Sequence, residues 1–240
     1  METEHIGIQE VQDDPQARAL LEAAAAQNYK LPLGFPGFQA DLMVQIDDQT
    51  SHGRVTGYTP RHITVSLPDT AAHAWAEREM QSILGHRWPT PFAERDGRYT
   101  LTLDTTYHPL GVRINLHGDP LQSYYRICDD RITQVYRVMG NQKFTISILD
   151  VHILPDGRHL SKHFTVVFQD QAGGSIARSA AYTDRYVAVS NCWLPALRRV
   201  IVTDAHEAHT YVLELSNHRL MDEEGTATPL SAYAQPGIRL

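Results

Sequence analysis

Residues 143–170, KFTISILDVHILPDGRHLSKHFTVVFQD, decide the reading of the fold. Two β-rich runs, 142–154 and 159–169, flank Pro155-Asp156-Gly157, a turn sequence that reverses a chain between paired strands. The same grammar continues on both sides. Towards the N-terminus, runs at 38–47, 52–58, 61–67, 98–104, 111–117, 123–129 and 131–139 read as strands. Towards the C-terminus, the corresponding runs are 174–183, 185–193, 197–204 and 209–216. Asp96-Gly97, Gly118-Asp119-Pro120, Asp129-Asp130, Gly140-Asn141 and Gly173-Gly174 punctuate them as turns. Strands that follow one another with such short connections form an antiparallel meander, not βαβ units.

Two segments keep helical period instead. Asp14 caps the first, about 14–29, with Pro15 in its first turn and Ala17, Leu20, Leu21, Ala24 and Asn28 recurring at helical spacing. Asp69 caps the second, about 69–86, whose apolar stripe is Ala72, Trp75, Ala76, Met80, Ile83 and Leu84. A sheet of this length curls, and its concave face needs a cover. The expectation is a mainly β (α+β) chain, a single domain over 1–240. It comprises a large curled antiparallel sheet (a half-barrel of about 11–13 strands), two helices of the N-terminal half over its concave face, and an irregular tail at 221–240.

Composition bounds the function. The chain has 240 residues, 42% hydrophobic and 20% charged, which suits a packed core. Net charge is −7 and the pI about 6.0, with no block of basic residues, which argues against a nucleic-acid partner. Lys30, Lys143 and Lys162 are its only lysines, so Schiff-base chemistry has three candidates. No apolar run reaches the length of a membrane span. The opening METEHIGIQEVQDDPQ lacks the apolar core of a secretory signal, so the expected location is cytoplasmic. Cys128 and Cys192 read as free, half-buried thiols on the sides of their strands opposite the apolar ones.

No phosphate loop, dinucleotide fingerprint, nucleophile elbow or CxxC pair is present, and neither a metal nor a cofactor is expected. His206-Glu207-Ala208-His209 is one residue short of the zinc-protease spacing and reads as a solvated turn. In the central hairpin, Asp150 and His152 share a period-2 face with Phe144, Ile146 and Ile148, while His159, Ser161 and His163 share another. A symmetric turn sets Asp150 opposite His163 and His152 opposite Ser161. That arrangement would suit proton transfer, a two-histidine carboxylate metal site, or a plain cross-strand ion pair. A second polar group, Asp104, Tyr107, His108, His117 and Asp119, surrounds the turn at Pro109-Leu110-Gly111. The candidate catalytic residues are therefore Asp150, His152, His163 and His108. The candidate ligand contacts are aromatic: Trp75, Trp88, Tyr107, Tyr125, Phe144, Phe164, Tyr182 and Trp193.

FPGFQAD, HPLGVRINLHGDPLQSYYRICDDRITQVYRVMGNQKFTISIL, KHFTVVFQD, YTDRYVAVSNCWLPALRRVI and LELSNHRL together resemble the domain-of-unknown-function family numbered 3386, over about residues 18–220. The resemblance carries no catalytic residue with it. The order helix, strands, helix, many strands also resembles the half-barrel of LolA-type lipoprotein carriers, which implies a curved sheet holding acyl chains beneath helices. The sequence departs from those carriers in lacking an export signal.

Three functions fit this reading. The first is a binding protein for a lipophilic small molecule between sheet and helices. The second is a cofactor-independent enzyme using Asp and His residues for cyclisation, isomerisation or proton transfer on a hydrophobic substrate. The third is a scaffold or assembly factor. The sequence assigns no oligomeric state.

Overall fold

The computed structural model describes residues 11–221. It contains helices α1 (Pro15–Gln27) and α2 (Thr70–Arg87) and twelve strands. These are β1 (Phe38–Ile46), β2 (Gln49–Thr59), β3 (His62–Ser66), β4 (Thr100–Asp104), β5 (Val112–His117) and β6 (Tyr124–Cys128), followed by β7 (Arg131–Met139), β8 (Gln142–Ile153), β9 (His159–Asp170), β10 (Ile176–Val189), β11 (Cys192–Thr203) and β12 (Ala208–Leu220). They form one sheet in the open order β3-β2-β1-β12-β11-β10-β9-β8-β7-β6-β5-β4. The fold is mostly β and antiparallel, as the turn grammar predicts. Every neighbour in that order is a neighbour in sequence except β1 and β12.

Two compact units divide the chain: residues 11–28 with 90–179, and 29–89 with 180–221. In the first, α1 lies over β4, β6 and β7. Asp14 opens α1 by accepting hydrogen bonds from the N–H groups of Gln16 (2.8 Å) and Ala17 (3.3 Å). Ala17, Leu21 and Ala24 are fully buried against Leu101, Ile114, Leu116, Tyr125 and Ile127. Full burial of a Leu or Ile side chain stabilises by about 1.5–3 kcal/mol, so this layer anchors the unit. Arg18 ties α1 to the short helical turns at 92–98, donating from Nη1 to the Gly97 carbonyl (2.6 Å) and from Nη2 to that of Tyr99 (3.0 Å).

In the second unit α2 packs on β1, β2 and β3. Asp69 caps it by accepting from Ala72 N–H at 2.6 Å. The buried side of α2, with Ala72, Trp75, Ala76, Met80, Ile83 and Leu84, is the stripe the sequence predicts, with Arg87 added. Phe38, Ala40, Leu42 and Val44 alternate inward along β1. Gly57 lets the layers close: a Cβ there would sit 3.0 Å from Leu84 Cδ1 and 3.1 Å from a Phe38 ring carbon.

Some boundaries differ from the sequence reading. The runs 174–183 and 185–193 are one strand, β10, because Asp184 is buried in the sheet and held by Arg198, so it does not break the strand. The turn lies instead at Ser190-Asn191, and β11 begins at Cys192, running through Pro195, whose carbonyl accepts from His218 Nε2 at 2.8 Å. Cys192 is 1% exposed and shares the buried side of β11 with Leu194, so the expectation that it lies opposite the apolar side is corrected. Burial pushes its thiol up to about 11. β12 extends to Leu220, and Met221 donates its N–H to the Gly37 carbonyl at 3.1 Å. The rest of the expected irregular tail, and the start of the chain through residue 10, lie outside the described residues.

Candidate ligand-binding site

In the first unit, the register of the sheet determines which side chains share the face beneath α1. Tyr125 on β6 is opposite Val135 on β7, Val135 opposite Ile146 on β8, and Ile146 opposite Val166 on β9. One step along, Arg137 is opposite Phe144 and Phe144 opposite Phe168, and at the other end Ile148 is opposite Phe164. Opposed residues project to the same side of a sheet. Tyr125, Val135, Arg137, Phe144, Ile146, Ile148, Phe164, Val166 and Phe168 therefore line one continuous face. Its β8–β9 portion is apolar, yet only Val166 is buried there. The side chains of Phe144, Ile146, Ile148, Phe164 and Phe168 are half-buried. The Phe144 and Phe168 rings lie 5.7 Å apart, and the Arg178 guanidinium sits 4.1 Å over the Phe168 ring.

A polar cavity of about 220 Å³ lies along the same unit, lined by Asp96, Arg98, Tyr99, Asp119, Ser123 and Arg137 among others. A hydrogen-bond chain runs beside it: Arg137 Nη2 donates to the Tyr125 hydroxyl at 2.8 Å, and that hydroxyl donates to Asp96 Oδ1 at 3.0 Å. Burial, and then the Asp96 charge, push the Tyr125 phenol up to about 12, so it stays protonated and a donor. Asp119 uses both oxygens within its own turn, accepting from the N–H groups of Leu121 (3.1 Å) and Ser123 (3.0 Å). Burial pushes that carboxyl up, but the bonds from Ser123 and Leu121 together outweigh it and hold it below its ordinary range. Arg137 Nε is buried without a hydrogen-bond partner among the described residues.

The second unit buries charge beneath α2. Arg198 on β11 meets Asp184 on β10 through two bonds, and its Nη1 reaches Glu79 on α2 at 2.8 Å. Its guanidinium lies 5.3 Å over the Tyr182 ring, and that of Arg87 lies 4.4 Å over the Tyr186 ring. The Tyr186 hydroxyl donates to Asp184 Oδ2 at 3.2 Å. Burial pushes this phenol too up to about 12.

Of the candidate ligand contacts, Tyr125, Phe144 and Phe164 share the α1-side face of the first unit. Tyr107, in the loop after β4, is 90% exposed. The others belong to the second unit. Trp75 stacks on Tyr211 at 5.2 Å, Trp88 caps the C-terminus of α2, Tyr182 lies under Arg198, and the Trp193 N–H donates to the Tyr29 hydroxyl at 2.9 Å.

The candidate catalytic residues lie on the first unit. Asp150 is opposite His163, but His152 is opposite Leu160, and Ser161 opposes Val151. Register shifts on either side of Asp150 break the symmetric pairing that the turn alone predicts. Asp150 is solvent-facing, accepting from Lys162 Nζ at 2.9 Å, with His163 Nε2 4.0 Å from the same oxygen. The Lys162 bond foremost holds its carboxyl below the ordinary range. His108 is engaged in its own turn, accepting from Leu110 N–H at its Nδ1 (3.1 Å). Among the described residues no cluster of His, Cys, Asp and Glu is arranged to hold a metal. The His206–His209 segment is a turn leading into β12, where His209 Nδ1 meets Asp47 at 2.7 Å.

Arg137, Asp96, Asp184 and Arg198 escape the sequence reading. Arg198 alternates with Cys192, Leu194, Ala196, Val200 and Val202 along β11, and a charge at such a position is the signal that marks it. Arg137 alternates with Arg131, Thr133, Val135 and Met139 and has no such mark.

DUF3386, a family of proteins of unknown function, matches residues 12–221. The chain belongs to the DUF3386 family. That match spans all twelve strands and both helices of this DUF3386 chain. No curated protein matches it. Among solved structures, it is similar to a domain from Vibrio parahaemolyticus named as an outer membrane lipoprotein-sorting protein. Identity there is 10%, over 87% of this chain and 95% of that one, with a TM-score of 0.36. It is also similar to a DUF1329 family protein from Desulfovibrio piger, at 9% identity over 87% and 93% of the two chains, with a TM-score of 0.28.

Proposed function

We propose that the protein binds a lipophilic small molecule against the apolar α1-side face of β8 and β9. The observation that carries this reading is the half-buried row Phe144, Ile146, Ile148, Phe164 and Phe168, aligned by the register of one hairpin. Large apolar side chains left partly in water forgo part of the roughly 1.5–3 kcal/mol that full burial of each supplies, and an apolar ligand recovers it. From Phe144 to Ile148 the row is about 13 Å long at roughly 3.3 Å per residue, enough to take an extended hydrocarbon chain.

The two cysteines of the chain, Cys128 and Cys192, are both free thiols, which supports a cytoplasmic site of action. No helix among the described residues is long and apolar enough to cross a membrane.

The test is native against denaturing mass spectrometry of the freshly purified protein, with any excess mass extracted into organic solvent. Cell fractionation checks the location. A defined apolar adduct, lost on Ile146→Asp, is the expected result. A protein that carries no adduct and takes up no added lipophile contradicts the proposal.

A further inference from the structure

Arg137 joins the polar cavity to the apolar row. It lines the cavity, and across the β7–β8 pair it stands opposite Phe144, the first aromatic of the row. Directly opposed residues have Cβ atoms about 4.5–5.5 Å apart, so a molecule lying on Phe144 comes within reach of the guanidinium. Part of the acceptor capacity at this junction is already committed. Asp119 spends both oxygens on backbone N–H groups, and Asp96 Oδ1 is taken by Tyr125. Arg137 spends Nη2 on Tyr125 but keeps a buried Nε without a partner among the described residues. A buried donor left unmade is costly, and an oxyanion is the group that satisfies a guanidinium edge best. Arg95 and Arg98, also on the cavity wall, add positive charge that offsets Glu94 and Asp96.

We propose that the ligand is an amphipathic oxyanion. Its carboxylate or phosphate head sits on Arg137 in the cavity, and its hydrocarbon chain lies along Phe144, Ile146 and Ile148. This rests on the reading of the β8–β9 face as a lipophile site and adds the chemical class of the head. The head-and-tail arrangement also fixes polarity: the anionic end lies towards the β7–β8 turn and the chain points along β8 towards Ile148.

Titration calorimetry of the full chain with decanoate, decyl phosphate and 1-decanol tests this. At least one of the two anions is expected to bind about tenfold or more tightly than the alcohol, the scale of a charge-assisted hydrogen bond. Whichever anion shows the preference identifies the head as carboxylate or phosphate. Arg137→Gln is expected to erase the preference by bringing anion binding down towards that of 1-decanol, and Arg137→Lys to retain part of it. If the native protein binds neither anion more tightly than the alcohol, the proposal is overturned even if Arg137→Gln fails to fold, and a preference that survives in Arg137→Gln overturns it too. If none of the three binds, the lipophile site itself is wrong and this proposal falls with it.

Discussion

Arg198 and Asp184 form a two-pronged ion pair in the second unit, Nε to Oδ1 at 2.8 Å and Nη2 to Oδ2 at 2.6 Å, with both side chains under a tenth exposed. Such geometry compensates the desolvation of the two charges only while both partners remain. Asp184→Ala leaves a buried guanidinium without its two-pronged partner, and the expected loss is about 3–5 kcal/mol of unfolding free energy. Urea unfolding measures it. The double variant Asp184→Leu with Arg198→Met is expected to lose less than Asp184→Ala, because it removes the two most buried charges together and leaves only the more accessible Glu79. A loss under 1 kcal/mol for Asp184→Ala contradicts the assignment of the pair as a structural anchor.

Buried histidines make the fold sensitive to mild acid. Burial lowers the pKa of His218 against the opposing effect of its bond to the Pro195 carbonyl, and burial followed by the Arg131 charge lowers that of His159. The unfolded chain, with histidines near their ordinary value of about 6.5, takes up protons before the folded one does. Stability therefore falls as pH drops through about 6.5 and keeps falling until the folded histidines titrate. The urea midpoint is expected to be lower at pH 5.5 than at pH 7.5, and His218→Gln to shrink that difference. His209 works in the opposite direction, its pKa raised chiefly by the Asp47 bond, so its contribution is lost as pH rises. An unchanged pH slope in His218→Gln tells against the burial argument.

The turn at His108–Gly111 is expected to tolerate substitution poorly. Gly111 has φ +90°, and a Cβ there would collide with the Ile127 carbonyl. Gly140 also has positive φ, +62°, but open space around it. Gly140→Ala is expected to cost about 1–2 kcal/mol from backbone conformation alone, and Gly111→Ala clearly more. Matching losses in urea unfolding refute the steric account of Gly111.

Much of this architecture is legible in the sequence because it is local. Pro155-Asp156-Gly157 and Gly140-Asn141 announce their hairpins, and Asp14 and Asp69 announce both helix starts. A meander then follows from adjacency alone. The long-range pairing of β1 with β12 has no such local mark. The site is less legible for the same reason. Whether Asp150 opposes His163 depends on irregularities flanking it, which no turn sequence encodes. Arg137 and Tyr125 meet only because two strands place them on one face, and Asp96 comes from a separate turn that Arg18 draws towards α1.

The most direct test of the ligand site compares substitutions on the two faces of one strand. Ile146 projects to the α1 side of β8, while Thr145 projects to the other side, opposite Tyr136. Binding of the apolar fluorophore N-phenyl-1-naphthylamine to the native protein, Ile146→Asp and Thr145→Asp separates them, with circular dichroism confirming that each is folded. The account predicts saturable binding by the native protein and by Thr145→Asp, and at least about a tenfold loss for Ile146→Asp, the scale of placing a charge in an apolar contact. Undiminished binding by Ile146→Asp, or an equal loss in Thr145→Asp, contradicts it.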